Sequence, residues 1–177
     1  MMDSNKLTSR NYFKALSILN LALVGGVVLF GLLISILILT TNASDNSKGF
    51  SGIFNYMVPA FAAIGIIAGN NLFKKTLNQS GENLDLDLNL NSKMTNYRGA
   101  LIIKYALLEG PALFAIIAAF VSHQIYLMAY AGLLVLILLY SRPNVKSTIA
   151  DLKLDQQESS IIENPEGVVG EMPKTLK

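Results

Sequence analysis

Four stretches of this chain are apolar almost without interruption, and short polar segments separate them: residues 12–40, 53–73, 97–121 and 125–141. About 20 apolar residues in a helix cross the roughly 30 Å hydrocarbon core of a bilayer. The pattern therefore predicts an all-α polytopic membrane protein with four transmembrane helices. The first stretch is far longer than the roughly 7–15 apolar residues of a signal peptide, so it reads as an uncleaved helix. The fourth is short and reaches spanning length by borrowing from the turn before it or from Ser141. Lys74 and Lys75 end the second stretch, and Arg142 and Lys146 end the fourth.

The connections differ in character. Residues 41–52 are rich in Gly, Ser and Asn, as a surface connection is. Asn42-Ala43-Ser44 within them fits a glycosylation acceptor, a three-residue match that chance also produces. Residues 76–96 form a polar cytoplasmic loop in which Leu84, Leu86, Leu88 and Leu90 alternate with Asn and Asp. That period of two suggests a segment with one apolar edge, lying on a surface or pairing with a partner. Ser122-His123-Gln124 makes a tight turn. Val145, Ile149 and Leu152 stand at helical spacing and predict a short amphipathic helix that completes a transmembrane domain of residues 1–155. The polar, acidic segment 156–177, interrupted by Pro165 and Pro173, is expected to be a disordered cytoplasmic tail.

Composition agrees with this picture. The 177 residues are 52% hydrophobic and 15% charged, well under the roughly 25% charged content of soluble domains. There is no cysteine, which excludes disulfides and thiolate chemistry, and the single histidine, His123, leaves no histidine-rich metal site. Of the 14 basic residues, twelve fall in the two termini or the 74–98 segment, whereas the opposite face carries Lys48 alone. The positive-inside rule then predicts both termini in the cytoplasm, as in a multi-pass protein of a bacterial cytoplasmic membrane.

Residues 11–26 align without a gap on residues 96–111, and seven of sixteen positions match, among them Tyr12/Tyr97, Leu16/Leu101 and Gly25/Gly110. Two duplicated helical hairpins would leave such a trace, and leucine-rich helices also match by chance. In this alignment Val24 stands where Glu109 does.

The candidate chemistry lies in the third stretch. Glu109 is at its thirteenth of twenty-five positions, where a charge costs about 2.5–3.5 kcal/mol on insertion scales. Tyr105, four residues back on the same face, is its nearest candidate hydroxyl partner. Lys104 points elsewhere and is expected to snorkel toward the cytoplasmic headgroups. Pro111 lacks a donor, frees the Leu107 carbonyl and predicts a kink beside the acid. Gly25, Gly26, Gly65 and Gly132 fall at similar depth, and Gly65 with Gly69 forms a GxxxG, so all five are candidate sites of close helix packing. Asn20, Asn70 and Asn71 suit interhelical hydrogen bonds or a headgroup lining.

No nucleophile elbow, zinc-protease helix, dinucleotide-binding or P-loop motif occurs, and one carboxylate cannot form a two-acid site. Neither catalytic activity, a cofactor, a metal nor nucleic-acid binding is expected; the expected partners are the lipid bilayer and a membrane protein partner or further copies of the chain. The ALLEGPALF segment, the Arg142-Pro143 that closes the fourth stretch and the DLKL after it resemble a set of small uncharacterised bacterial four-helix membrane proteins over residues 94–155. That resemblance implies the architecture and no activity. A lone acid before a proline is also similar to rotary ATPase proteolipids. Their acid lies on the second helix of a hairpin, whereas Glu109 lies on the first, so no function is carried over. Two readings result: a non-enzymatic protein acting through association in the membrane, and a small proton- or cation-coupled carrier using Glu109.

Overall fold

The structure, a computed structural model, describes residues 6–41, 48–82 and 90–171. In chain order its elements are strand β1 (Lys6–Thr8), helices α1 (Ser9–Thr40), α2 (Lys48–Glu82) and α3 (Leu90–Ser122), a 3₁₀ turn (Ile125–Leu127), α4 (Met128–Tyr140), α5 (Val145–Leu152), α6 (Gln156–Glu163) and strand β2 (Val168–Glu171). The fold is thus all-α apart from two short strands. The expected loop at 76–96 is shorter than its polarity suggested, because α2 runs on to Glu82 and α3 begins at Leu90. The acceptor sequence at Asn42 and the alternating Leu84, Leu86 and Leu88 lie outside the described residues. Leu90, the last of that series, is buried at the start of α3.

Three helices, Ser9–Thr40, Gly52–Asn78 and Leu90–Ser122, are long and apolar enough to cross a membrane. The fourth qualifies only when Ile125–Tyr140 is counted together with Val145–Leu152. The chain divides into two compact units.

One unit comprises residues 20–72 and 103–142, the apolar parts of α1 to α4. In α1 the buried positions include Asn20, Val24, Val27, Ile34 and Ile38; in α4 they are Ala131, Leu134 and Leu138, following Leu127. Steps of three and four place each set on one helical face. The most enclosed helix is α3, with 39% of its apolar window buried against 17% for α1 and 22% for α2. Its face of Tyr105, Leu108, Ala112, Ala115, Ile116 and Ala119 is almost solvent-free, and small alanines alternating with larger residues bring neighbours close on several sides. The α3 helix ends in a Schellman motif: His123 N–H donates to Phe120 O (3.3 Å) and Gln124 N–H to Ala119 O (3.1 Å). His123 occupies the left-handed position (φ 52°) that usually takes glycine.

The other unit comprises residues 1–19, 73–102 and 143–177, and here the structure departs most from expectation. Of the tail expected to be disordered, residues 156–171 are folded. Asp155 caps α6 by accepting from the Glu158 N–H (2.7 Å), and Glu158 accepts in return from the Asp155 N–H (3.2 Å), a reciprocal capping box. Glu158 also pairs with Lys93 of α3 at 2.6 Å. Beyond α6, Gly167 passes so close to the Ile161 carbonyl that a Cβ there would overlap it, and the chain enters β2. The β2 strand pairs antiparallel with β1, Leu7 opposite Gly170 and Thr8 opposite Val168, with a bulge between Leu7 and Thr8. The first turn of α1 is capped by the returning chain: Ser9 N–H donates to Gly167 O (2.8 Å), Arg10 N–H to Pro165 O (3.1 Å) and Ser9 Oγ to Ile162 O (2.6 Å). Ile162 and Val169 are buried here with Met94 and Tyr97. Low hydropathy and two prolines argued for disorder, but two buried apolar residues, the β1–β2 pairing and the hydrogen bonds to Ser9 and Arg10 dock the segment. The α5 helix forms where its apolar spacing predicted, capped by Asn144.

Neighbouring isoleucines test this docking. Ile162 is fully buried and Ile161 is 39% exposed. Ile162→Ala should cost about 2–4 kcal/mol of stability and Ile161→Ala under about 1 kcal/mol, read as thermal unfolding of the purified chain. Equal losses at both positions would contradict the docked tail.

Candidate functional site

The expected site residues fall into two groups, those that meet and those that do not. Gly65 and Gly69 of α2 lie on the buried face Val58, Ala62, Gly65, Gly69 and turn it toward α3. A Cβ built on Gly65 would stand 2.5 Å from the Leu107 carbonyl oxygen and 2.7 Å from Pro111 Cγ. On Gly69 it would be 3.6 Å from the Lys104 carbonyl oxygen, 3.7 Å from Lys104 Cγ and 3.8 Å from Leu107 Cβ. The GxxxG thus seats on Lys104, Leu107 and Pro111, one face of α3. Gly65 is the obligatory contact and Gly69 an ordinary van der Waals one.

The geometry has a covalent origin. Pro111 has no N–H, so the Leu107 carbonyl four residues earlier loses its helical donor. In apolar surroundings an unpaired carbonyl must be shielded or paired. The carbonyl faces Gly65, where only a Cα–H projects, and a weak Cα–H···O contact is the interaction open to it. Rings frame the contact further along: Phe114 of α3 stacks on Phe61 (4.9 Å between centroids) and meets Phe54 edge-on (6.3 Å).

Gly25, Gly26 and Gly132 behave otherwise. A Cβ on any of them would meet nothing within 4 Å, and Gly26 and Gly132 are exposed. Among the described residues they make no close helix contact, contrary to the packing role expected of them. Their depth was legible in the sequence; the face of the helix on which they lie depends on which neighbour each helix chose. At Gly31 of α1, which sequence reasoning passed over, a Cβ would approach Ile116 Cδ1 of α3 at 3.5 Å.

Tyr105 is fully buried, but its hydroxyl donates to the Ser141 carbonyl at the end of α4 (3.0 Å) and not to Glu109. It closes α4 onto α3. Asn20 behaves as expected of an interhelical polar residue: its amide donates to Leu138 O of α4 (3.1 Å) while 1% exposed. Asn70 and Asn71 are exposed. Glu109 is half-buried beside Leu108, on the flank of the α3 seam, and among the described residues its carboxyl enters no hydrogen bond or ion pair. Among the described residues no three His, Cys, Asp or Glu side chains converge as a metal site would require.

Glycines of identical sequence context on paper thus separate in space. Gly65→Ala should destabilise the chain by about 1–3 kcal/mol through overpacking against backbone. Gly26→Ala, in open space within a helix, should be neutral or stabilising by up to about 1 kcal/mol. Thermal unfolding in one detergent compares the two, and equal effects would rule out the described α2–α3 contact.

No protein-family model, curated protein or solved structure matches this chain.

Proposed function

We propose that the chain is a four-span, non-enzymatic membrane protein, with both termini in the cytoplasm of a bacterial cell, that acts by association with a second membrane-embedded chain. The strand pair supports the count. Hydrogen-bonded β1 and β2 must lie on the same side of any membrane the chain crosses, so the crossings between them are even in number. Three helices qualify unaided; the fourth, α4 with its 3₁₀ turn, passes the same test only together with α5 and is assigned here as a short span. At roughly 25 Å it is a few ångströms short of the hydrocarbon core, a mismatch that local thinning absorbs. Tyr56 (81% exposed) and Tyr140 (94% exposed) stand at span borders, as interfacial aromatic residues do. The concentration of Lys and Arg in the termini and the 74–98 segment supports the cytoplasmic side.

Glu109 carries the association reading. A carboxyl group at mid-span, half-buried on the flank of α3 and without a partner among the described residues, takes its hydrogen-bond donor from a neighbouring chain. A polar group from a neighbouring transmembrane helix meets that need. The carrier reading also rests on Glu109, but Tyr105, which was to tune the acid, is engaged with Ser141.

The test is cross-linking in native membranes, followed by gentle-detergent purification and mass determination. Wild type should come out in a defined complex, with itself or with another chain. Glu109→Leu should dissociate it at least tenfold more readily and Glu109→Gln, which keeps a hydrogen-bonding group, much less. A wild-type chain that is monomeric and alone would sink the reading, and a pH-gradient dye assay of wild type and Glu109→Gln in liposomes would then examine the carrier.

A further inference from the structure

We infer that the level at which α1, α2 and α3 meet in the terminal unit carries a belt of exposed cations, Lys14, Lys74, Lys75 and Arg98, that binds anionic phospholipid headgroups. The inference rests on the membrane-crossing reading above. Two contacts of the fold bring the three helices together at one level. The Tyr12 hydroxyl of α1 donates to Met94 O of α3 at 2.6 Å, and the ring of Phe73 of α2 meets that of Tyr97 of α3 edge-on at 5.9 Å. Each helix carries its cations within two residues of this level, on exposed faces turned away from the buried cluster. Lys14 follows Tyr12, Lys74 and Lys75 follow Phe73, and Arg98 follows Tyr97 and lies within electrostatic reach of the Tyr12 hydroxyl.

All four side chains are exposed, and among the described residues none of them enters an ion pair. No Asp or Glu occurs in residues 9–19, 73–81 or 90–102, and Asp151 of α5, which accepts from the Tyr97 hydroxyl at 3.4 Å, is not ion-paired to any of the four cations. Glu158, which does reach α3, is taken by Lys93.

The form of the ligand follows from what stands beside the cations. Ile18 is 58% exposed four residues after Lys14, and Ile102 is 42% exposed four residues after Arg98. At that spacing each isoleucine shares a helix face with its cation, one turn further into the apolar stretch. A ligand that satisfies both has a negative head and a hydrocarbon body, which is a phospholipid of an anionic class such as phosphatidylglycerol. Basic clusters bordering a span attract anionic headgroups with about a fivefold gain in affinity per charge at low salt.

The experiment uses the full chain, with inorganic phosphate present throughout so that a free anion gives no signal. First, alkaline carbonate extraction establishes whether the chain is integral to the membrane. The purified chain is then titrated with phosphatidylglycerol or phosphatidylcholine, and retained lipid is read by native mass spectrometry. Wild type should prefer phosphatidylglycerol, and Lys74→Gln/Lys75→Gln/Arg98→Gln should lose about a hundredfold of that preference. Lys74→Arg/Lys75→Arg/Arg98→Lys, which keeps the charges, should restore it. Equal retention of the two lipids by an integral wild type, or an undiminished preference in the Gln variant, would overturn this inference and leave the membrane reading standing. Release by carbonate would overturn both.

Discussion

The carbonyl that Pro111 leaves without a helical donor sets the terms for the apolar bundle. A proline inside a helix that faces hydrocarbon would expose a polar backbone group, and such a group is tolerated where a neighbouring element covers it. Gly65 covers it, because only a residue without a side chain lets α2 come within contact of Leu107 O and the Pro111 ring. The proline and the glycine are therefore one feature divided between two helices. The enclosure of α3 goes with it: α2 approaches on the side of Leu107 and Pro111, Gly31 of α1 meets Ile116, and the Tyr105 hydroxyl holds the end of α4.

The terminal unit is held by a different kind of force. Its returning segment, residues 155–171, buries little more than Ile162 and Val169, but its turn at Asn164 is hydrogen-bonded: Asn164 N–H donates to Ser160 O, Gly167 N–H to Asn164 O and Glu166 N–H to Asn164 Oδ1. Glu158 serves two roles at once, capping α6 and pairing with Lys93. The α1 helix in turn receives its N-terminal caps from residues 153 to 158 positions away in sequence, through Ile162, Pro165 and Gly167. Helix starts leave several N–H groups without intrahelical partners, and here the far end of the chain supplies the acceptors. Order in a polar segment arises from such satisfaction of backbone groups as well as from apolar area.

The face of α1 and the face of α3 also correspond. Shifting by the offset of the sequence repeat carries buried Tyr12, Leu16 and Asn20 onto buried Tyr97, Leu101 and Tyr105. The open Gly25 falls on Gly110, which is open as well. The correspondence breaks at Glu109, which replaces a buried Val24 with an acid displaced to the flank of the seam. Among the nine positions that differ in this register, this one puts a carboxyl group where the other helix has a buried valine, and no described residue pairs with it.

Length and hydropathy by themselves determined the long helices, because a run of apolar residues with helical propensity has one way to satisfy its backbone in hydrocarbon. They also put Glu109 at the middle of its apolar run, and small-residue spacing marked Gly65 as one candidate for close approach. The capping box Asp155–Glu158 and the apolar pairs Ile161-Ile162 and Val168-Val169 were equally local signals for the folded tail, outweighed by overall polarity. Only the tertiary structure decided that no described residue packs against Gly25, Gly26 or Gly132, that Tyr105 is given to Ser141, and that residues 6–8 and 168–171 meet as strands. Each of these depends on which helix stands beside which. A helical sequence fixes the angle of every side chain about its own axis, but what lies at that angle is set by the packing of the other helices.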